Sequence, residues 1–134
     1  MKAPVLDSSV TVAWVLGDES SARADATLQE VTEMGGVAPA LWWVEVRNAL
    51  VIAERKGRLT QEDTAAAVQA IDALSVHLDQ APDNNSLLRL ARTHGLTAYD
   101  AMYLELSIRQ QRPLATLDRR LSVAAQAEGI TLTV

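Results

Sequence analysis

Ala3-Pro4-Val5-Leu6-Asp7 decides how this chain folds: four residues suited to burial run straight into a carboxylate, and a helical pattern starts directly behind it. Leu114-Ala115-Thr116-Leu117-Asp118 repeats the arrangement near the other end. A short apolar run that gives way to a helical period is how a buried parallel strand feeding a helix reads. Working outward, the spacing predicts a strand over 3–7, then helices at about 9–16 and 20–33, the second stopped by Gly35-Gly36. Val37-Ala38 fits a brief strand, and Pro39 stands before a long helix over 41–56 that ends at Gly57. Thr60-Gln61-Glu62-Asp63 reads as a capping box opening a helix over 61–74. Val76-His77-Leu78 fits a strand, Asp83 to Thr93 a helix closed by Gly95, and Thr97 to about Gln111 another helix broken by Pro113. Leu114 to Thr116 follows as a strand, Asp118 to Glu128 as a last helix stopped by Gly129, and Thr131-Leu132-Thr133 as a terminal strand. Short strands alternating with helices define an α/β fold, a mainly parallel sheet flanked by helices on both faces. In such sheets the functional crevice lies beyond the carboxyl ends of the strands, where Asp7 and Asp118 both fall.

With 134 residues, 49% of them hydrophobic, the chain suits one globular domain with its own core. The absence of cysteine excludes disulfides, thiolate zinc sites and cysteine nucleophiles, and fits a reducing, cytoplasmic setting. No signal peptide is expected, because Met1-Lys2-Ala3-Pro4 runs into Asp7 too soon, and the longest apolar stretch is too short for a membrane span. The net charge of −5 argues at face value against a nucleic-acid partner. Four of those charges, however, are the acids considered next. Divalent cations among them would invert the local sign.

Asp7, Glu45, Asp100 and Asp118 all stand in apolar surroundings. Glu45 interrupts Leu41-Trp42-Trp43-Val44, and Asp100 precedes Ala101-Met102-Tyr103-Leu104. An ionised carboxylate there is costly unless it is paired or holds a metal. Each acid alone has a structural explanation. Asp7 and Asp118 sit where helix caps belong, Asp100 follows Thr97 at capping-box spacing, and Glu45 could pair with Arg47 or Lys56. Together those explanations weaken. Leu41, Glu45, Asn48 and Ile52 share one helical face, as do Leu96, Asp100, Leu104 and Ile108, and an acid in the middle of such a stripe is no cap. The economical interpretation is one acidic pocket for divalent cations.

The residues then carry a family resemblance. Val5-Leu6-Asp7-Ser8-Ser9, Glu45-Val46-Arg47-Asn48-Ala49-Leu50, Leu96-Thr97-Ala98-Tyr99-Asp100-Ala101-Met102-Tyr103-Leu104 and Ala115-Thr116-Leu117-Asp118 resemble, in that order, the PIN-domain ribonucleases. The chain looks most like the small VapC-type toxins of prokaryotic toxin–antitoxin pairs, and the likeness spans a single PIN-like domain over 1–134. It implies a metal-dependent endoribonuclease hydrolysing RNA phosphodiester bonds, with Mg²⁺ or Mn²⁺ as cofactor. Asp7, Asp100 and Asp118 would hold the principal ion, with Glu45 acting through water or on a second one. Ser9, Thr116 and Asn48 would support the site. Some relatives carry a further acid where this chain has Arg120. The resemblance also implies a homodimer silenced by a cognate VapB-type antitoxin. Clustered carboxylates should repel, so at least one is expected to be partly protonated near neutral pH without metal.

Arg119 and Arg120, next to Asp118, could meet the substrate phosphate or simply be solvated helix charges, the plainer of the two explanations, and Arg47 is a weak candidate of the same kind. Arg47, Arg55, Lys56 and Arg58 could follow an RNA backbone or simply favour the end of their helix. His77 and His94 stand alone and are expected to be structural. Trp42 and Trp43 suit core or interface better than base stacking. A receiver-like, Mg²⁺-binding module would want paired acids after the first strand and a late lysine, yet no lysine follows Lys56. A phosphatase with a nucleophilic Asp would want another acid where Ser9 stands. A non-catalytic PIN-like interaction module is disfavoured by the four intact acids.

Overall fold

The computed structural model describes residues 2–17 and 22–133. Four strands, β1 (Val5–Leu6), β2 (Gly36–Pro39), β3 (Val76–Asp79) and β4 (Leu114–Ala115), form one sheet in the order β3-β2-β1-β4. Every pairing is parallel. Around it lie α1 (Ser8–Leu16), α2 (Ala22–Met34), α3 (Leu41–Arg55), α4 (Gln61–Asp72), α5 (Asn84–His94), α6 (Ala98–Gln110) and α7 (Arg119–Ala127). No helix among the described residues is long and apolar enough to cross a membrane.

Because side chains alternate along a strand, adjacent residues of β1 serve opposite layers. Val5 belongs to one core cluster with Trp42 and Val46 of α3, Leu104 of α6 and Leu121 of α7. Leu6 packs with Val10 of α1, Val31 of α2 and Ala115. The sheet is therefore covered on both faces, which explains the uninterrupted apolar runs of β1 and β4. Near its centre α6 is buried almost all round: Ala101, Tyr103, Leu104, Glu105, Leu106 and Ser107 are all inaccessible.

Several expected boundaries shift. β1 is two residues rather than five, and β4 stops one residue early. Thr131-Leu132-Thr133 contributes one parallel bridge, Leu114 to Leu132, in place of a full strand. The expected start of the second helix at 20, and Glu19, lie outside the described residues. The largest correction concerns α3. Its core stripe is Trp42, Val46, Leu50 and Ala53, so Glu45 borders the buried face rather than interrupting it.

Candidate active site

β1 and β4 are neighbours in register, Val5 with Leu114 and Leu6 with Ala115. Their carboxyl ends thus bring Asp7 beside Thr116, two residues before Asp118. Asp7 occupies the N-cap position of α1, but its carboxylate makes no capping bond. Ser9 Oγ donates to Asp7 Oδ2 at 2.6 Å, and Thr116 Oγ1 donates to the same oxygen at 2.7 Å. Each hydroxyl is aimed from behind by a backbone N–H: Leu117 N–H donates to Ser9 Oγ, and Asp118 N–H to Thr116 Oγ1, both at 3.0 Å. A hydroxyl has a single proton to give, and here both protons are committed to Asp7.

The other acids arrive from helices. Glu45, in the second turn of α3, accepts a short hydrogen bond from Tyr103 Oη of α6. Asp100 lies in the first turn of α6, where Thr97 Oγ1 caps its backbone N–H at 3.1 Å. Asp118 caps α7, its Oδ1 accepting Leu121 N–H at 2.8 Å. The capping explanation therefore holds at Asp118 and fails at Asp7.

Asp7, Glu45, Asp100 and Asp118 line one open cavity of about 340 Å³, together with Ser9 and Asn48. Asp7, 4% exposed, has its pKa pushed up from 3.8 to about 6, first by burial and then by Asp100 and Glu45, against the two hydroxyls that hold it down. Asp100 is also raised, by burial first and Asp118 second, with Arg120 opposing. One acid partly protonated near neutrality agrees with the sequence-based expectation. The leading cause, however, is desolvation rather than mutual repulsion. Burial and the Glu45 carboxylate together hold the Tyr103 phenol above its ordinary range.

The donors are hard oxygens throughout, a set that suits Mg²⁺ or Mn²⁺. Among the described residues no three Asp, Glu or His side chains converge closely enough to hold an ion as they stand. Each of three acids is held by its own partners: Tyr103 bonds Glu45, the α7 cap takes one oxygen of Asp118, and two hydroxyls take one oxygen of Asp7. A small cation that keeps several waters fits such an arrangement, because water can span what the carboxylates leave open.

Of the arginine candidates, Arg47 is engaged elsewhere. It pairs with Asp72 at 2.9 Å and lies 4.0 Å from the Trp43 ring centroid, outside the acidic cavity's lining. Neither Glu45–Arg47 nor Glu45–Lys56 is the pairing found; Tyr103 takes that role. Arg119 and Arg120 line a second cavity next to Asp118. His94 bonds Glu128 at 2.7 Å. Sequence reasoning gave no role to Tyr103, whose one signal was its place three residues after Asp100. It also missed Glu105, which is buried at 2% exposure and bound by Arg109 from the next helical turn. Arg109 reaches on to Asp79 at 2.6 Å, fastening α6 to the end of β3.

Fold and site together define a parallel α/β domain with an acidic cavity at the carboxyl ends of its strands. Residues 5–127 match the family model of the PIN domain, and the chain belongs to that family. It is 30% identical over 122 residues to Ribonuclease VapC3 of Pyrobaculum aerophilum, across 88% of this chain and 91% of that protein. The crystal structure of PAE2754 from Pyrobaculum aerophilum superposes with a TM-score of 0.73 at 24% identity, covering 98% of this chain and 84% of the other. The crystal structure of FitAcB from Neisseria gonorrhoeae gives 0.66 at 17% identity, covering 96% and 94%. At those identities the two structures speak for the fold alone.

Proposed function

We propose that this protein is a VapC-type endoribonuclease that hydrolyses RNA phosphodiester bonds with Mg²⁺ or Mn²⁺, the toxin of a toxin–antitoxin pair. The observation that carries this reading is the delivery of four carboxylates, from four separate elements, to one cavity at the carboxyl ends of β1 and β4. The name of the relative from Pyrobaculum aerophilum supports the ribonuclease part.

Asp7, Asp100 and Asp118 would hold the ion, and Glu45 would act through water or on a second ion. When bound, a divalent cation supplies neutralisation of phosphate oxygens and a lowered pKa for water. The chain's own residues prepare that chemistry. Ser9 and Thr116 fix the buried Asp7 carboxylate through Oδ2, which leaves Oδ1 for an ion. The Tyr103 hydroxyl orients Glu45 towards the cavity it lines. Asn48, one helical turn after Glu45, adds an amide to the wall.

A VapC-type assignment brings with it a VapB-type antitoxin and a homodimer. The exposed apolar residues of α3, Trp43 (50%), Val44 (53%) and Val51 (41%), offer a surface for self-association. The direct test is incubation of purified protein with a structured RNA pool in Mg²⁺ or Mn²⁺, with EDTA and Asp100→Asn as controls. Cleavage abolished by both controls is the expected result. Metal binding without cleavage of any RNA would make this a binding module and overturn the assignment.

A further inference from the structure

Beside the acidic cavity, α5 and α7 flank a second open one of about 450 Å³, lined by His94, Arg119, Arg120, Val123 and Ala124. That volume falls within the ~300–1,000 Å³ of ordinary ligand sites. Three features set it apart. First, Arg119 and Arg120 open α7, the helix end where a cation is disfavoured by the dipole and an anion is welcomed. Second, neither guanidinium forms an ion pair among the described residues. Glu128 is committed to His94 at 2.7 Å and Arg89 at 3.3 Å, Asp118 spends Oδ1 on the helix cap, and Arg120 acts on Asp100 through its field without an ion pair. Third, Val123 lies three and four residues after the arginines, hence on their face, and is 58% exposed. Cationic donors and an apolar surface on one wall match a phosphate and a base.

Resting on the ribonuclease reading, we propose that this cavity seats one nucleotide of a single-stranded RNA flank, its phosphate on Arg119 and Arg120 and its base over Val123, against a wall formed by His94. Asp118 of the acidic cavity and Arg119 of the second are adjacent in the chain, and Arg120 is close enough to influence Asp100 electrostatically. The strand therefore crosses the carboxyl end of the sheet from the acids towards α5 and α7. The His94 ring, fastened to Glu128, keeps the wall in place. The arginines position substrate and take no part in bond breaking.

The test measures steady-state cleavage of a labelled single-stranded RNA in Mg²⁺ by wild type, Arg119→Ala, Arg120→Ala and Val123→Asp. Equilibrium RNA binding at several salt concentrations is measured alongside, in an Asp7→Asn background that does not cut. Each arginine variant should raise KM roughly tenfold with a smaller change in kcat, and lower the salt slope of binding by about 0.7 per lost phosphate contact. Arg119→Lys should restore part of the loss, since charge is kept. Val123→Asp should weaken binding, and Lys2→Ala, whose amine bonds Gln110 O, should not. Circular dichroism establishes that each variant is folded. Cleavage by wild type with KM and salt slope unmoved in the arginine variants would overturn the subsite alone. A wild type that neither binds nor cuts RNA would overturn the ribonuclease reading beneath it.

Discussion

Desolvation of Asp7 outweighs the two hydroxyl donations it receives, and the balance sets how metal-free protein responds to pH. Between the ordinary pKa of 3.8 and the folded value of about 6, the native state binds more protons than the unfolded chain, so stability falls as pH rises through that window. The loss from this group reaches about 3 kcal/mol above pH 6. Asp7→Asn, which keeps the shape and an acceptor oxygen but carries no charge, should therefore melt several degrees above wild type at pH 7.5 without metal, and above it by only about a third of that difference at pH 4.5. Mg²⁺ should stabilise wild type and not the variant. Thermal melts in the four conditions check both statements, and equal melting points at pH 7.5 without metal would contradict them. Tyr103→Phe leaves Glu45 without its donor and should lower stability by about 1–2 kcal/mol, read from urea denaturation.

Asp118 serves α7 as well as the cavity, and the two roles separate by substitution. Asparagine is as good an N-cap as aspartate, whereas alanine is poor. Asp118→Asn should keep stability within about 0.5 kcal/mol and lose cleavage, while Asp118→Ala should lose cleavage and about 1 kcal/mol besides. Gly35, between α2 and β2, has φ of 79°, and a Cβ there would stand 2.8 Å from Ser75 O. Gly35→Ala should cost about 2 kcal/mol or more in the same denaturation assay, through left-handed strain and the clash with that carbonyl. Helix ends were the part of the fold most legible in the sequence, because caps are local chemistry. The Thr60–Asp63 box, the helix start at Thr97 and the stop at Gly95 stand as expected, while Asp83, expected as the first helical residue, is the cap just before α5. Strand ends were not, because a strand exists only where a partner pairs with it. Two residues of β1 meet two of β4, and Leu132 alone reaches the edge. Glu45 was found by type and spacing, but its face was misjudged: one residue's rotation separates its position from the buried Val46.

Over the whole molecule, four acids distant in sequence meet because two parallel strands and two helix starts end at one place. Their types and apolar settings were legible from the chain, as was the α/β class. Their hydroxyl and phenol partners were harder to see: Ser9 and Thr116 entered only through a family resemblance, and Tyr103 not at all, since the Thr116 and Tyr103 contacts cross 109 and 58 residues and follow no local period, while Ser9, two residues from Asp7, looks like any helix-start serine. The net charge of −5 belongs largely to this cavity, so RNA binding should depend strongly on divalent cation. The outward face of α3 belongs to this scale too. Val44→Glu combined with Val51→Glu should shift sedimentation from dimer to monomer with little change in melting temperature. A wild type that sediments as a monomer would remove the dimer from the proposal. The most direct measurement is calorimetric titration of Mn²⁺ into wild type and into Asp7→Asn, Glu45→Gln, Asp100→Asn and Asp118→Asn at pH 6 and 7.5. One shared site should give binding that weakens in every variant, with a proton released at pH 6 by wild type and not by Asp7→Asn. Affinity unchanged in the variants, or no binding by wild type, would contradict the claim that these four acids form one metal site.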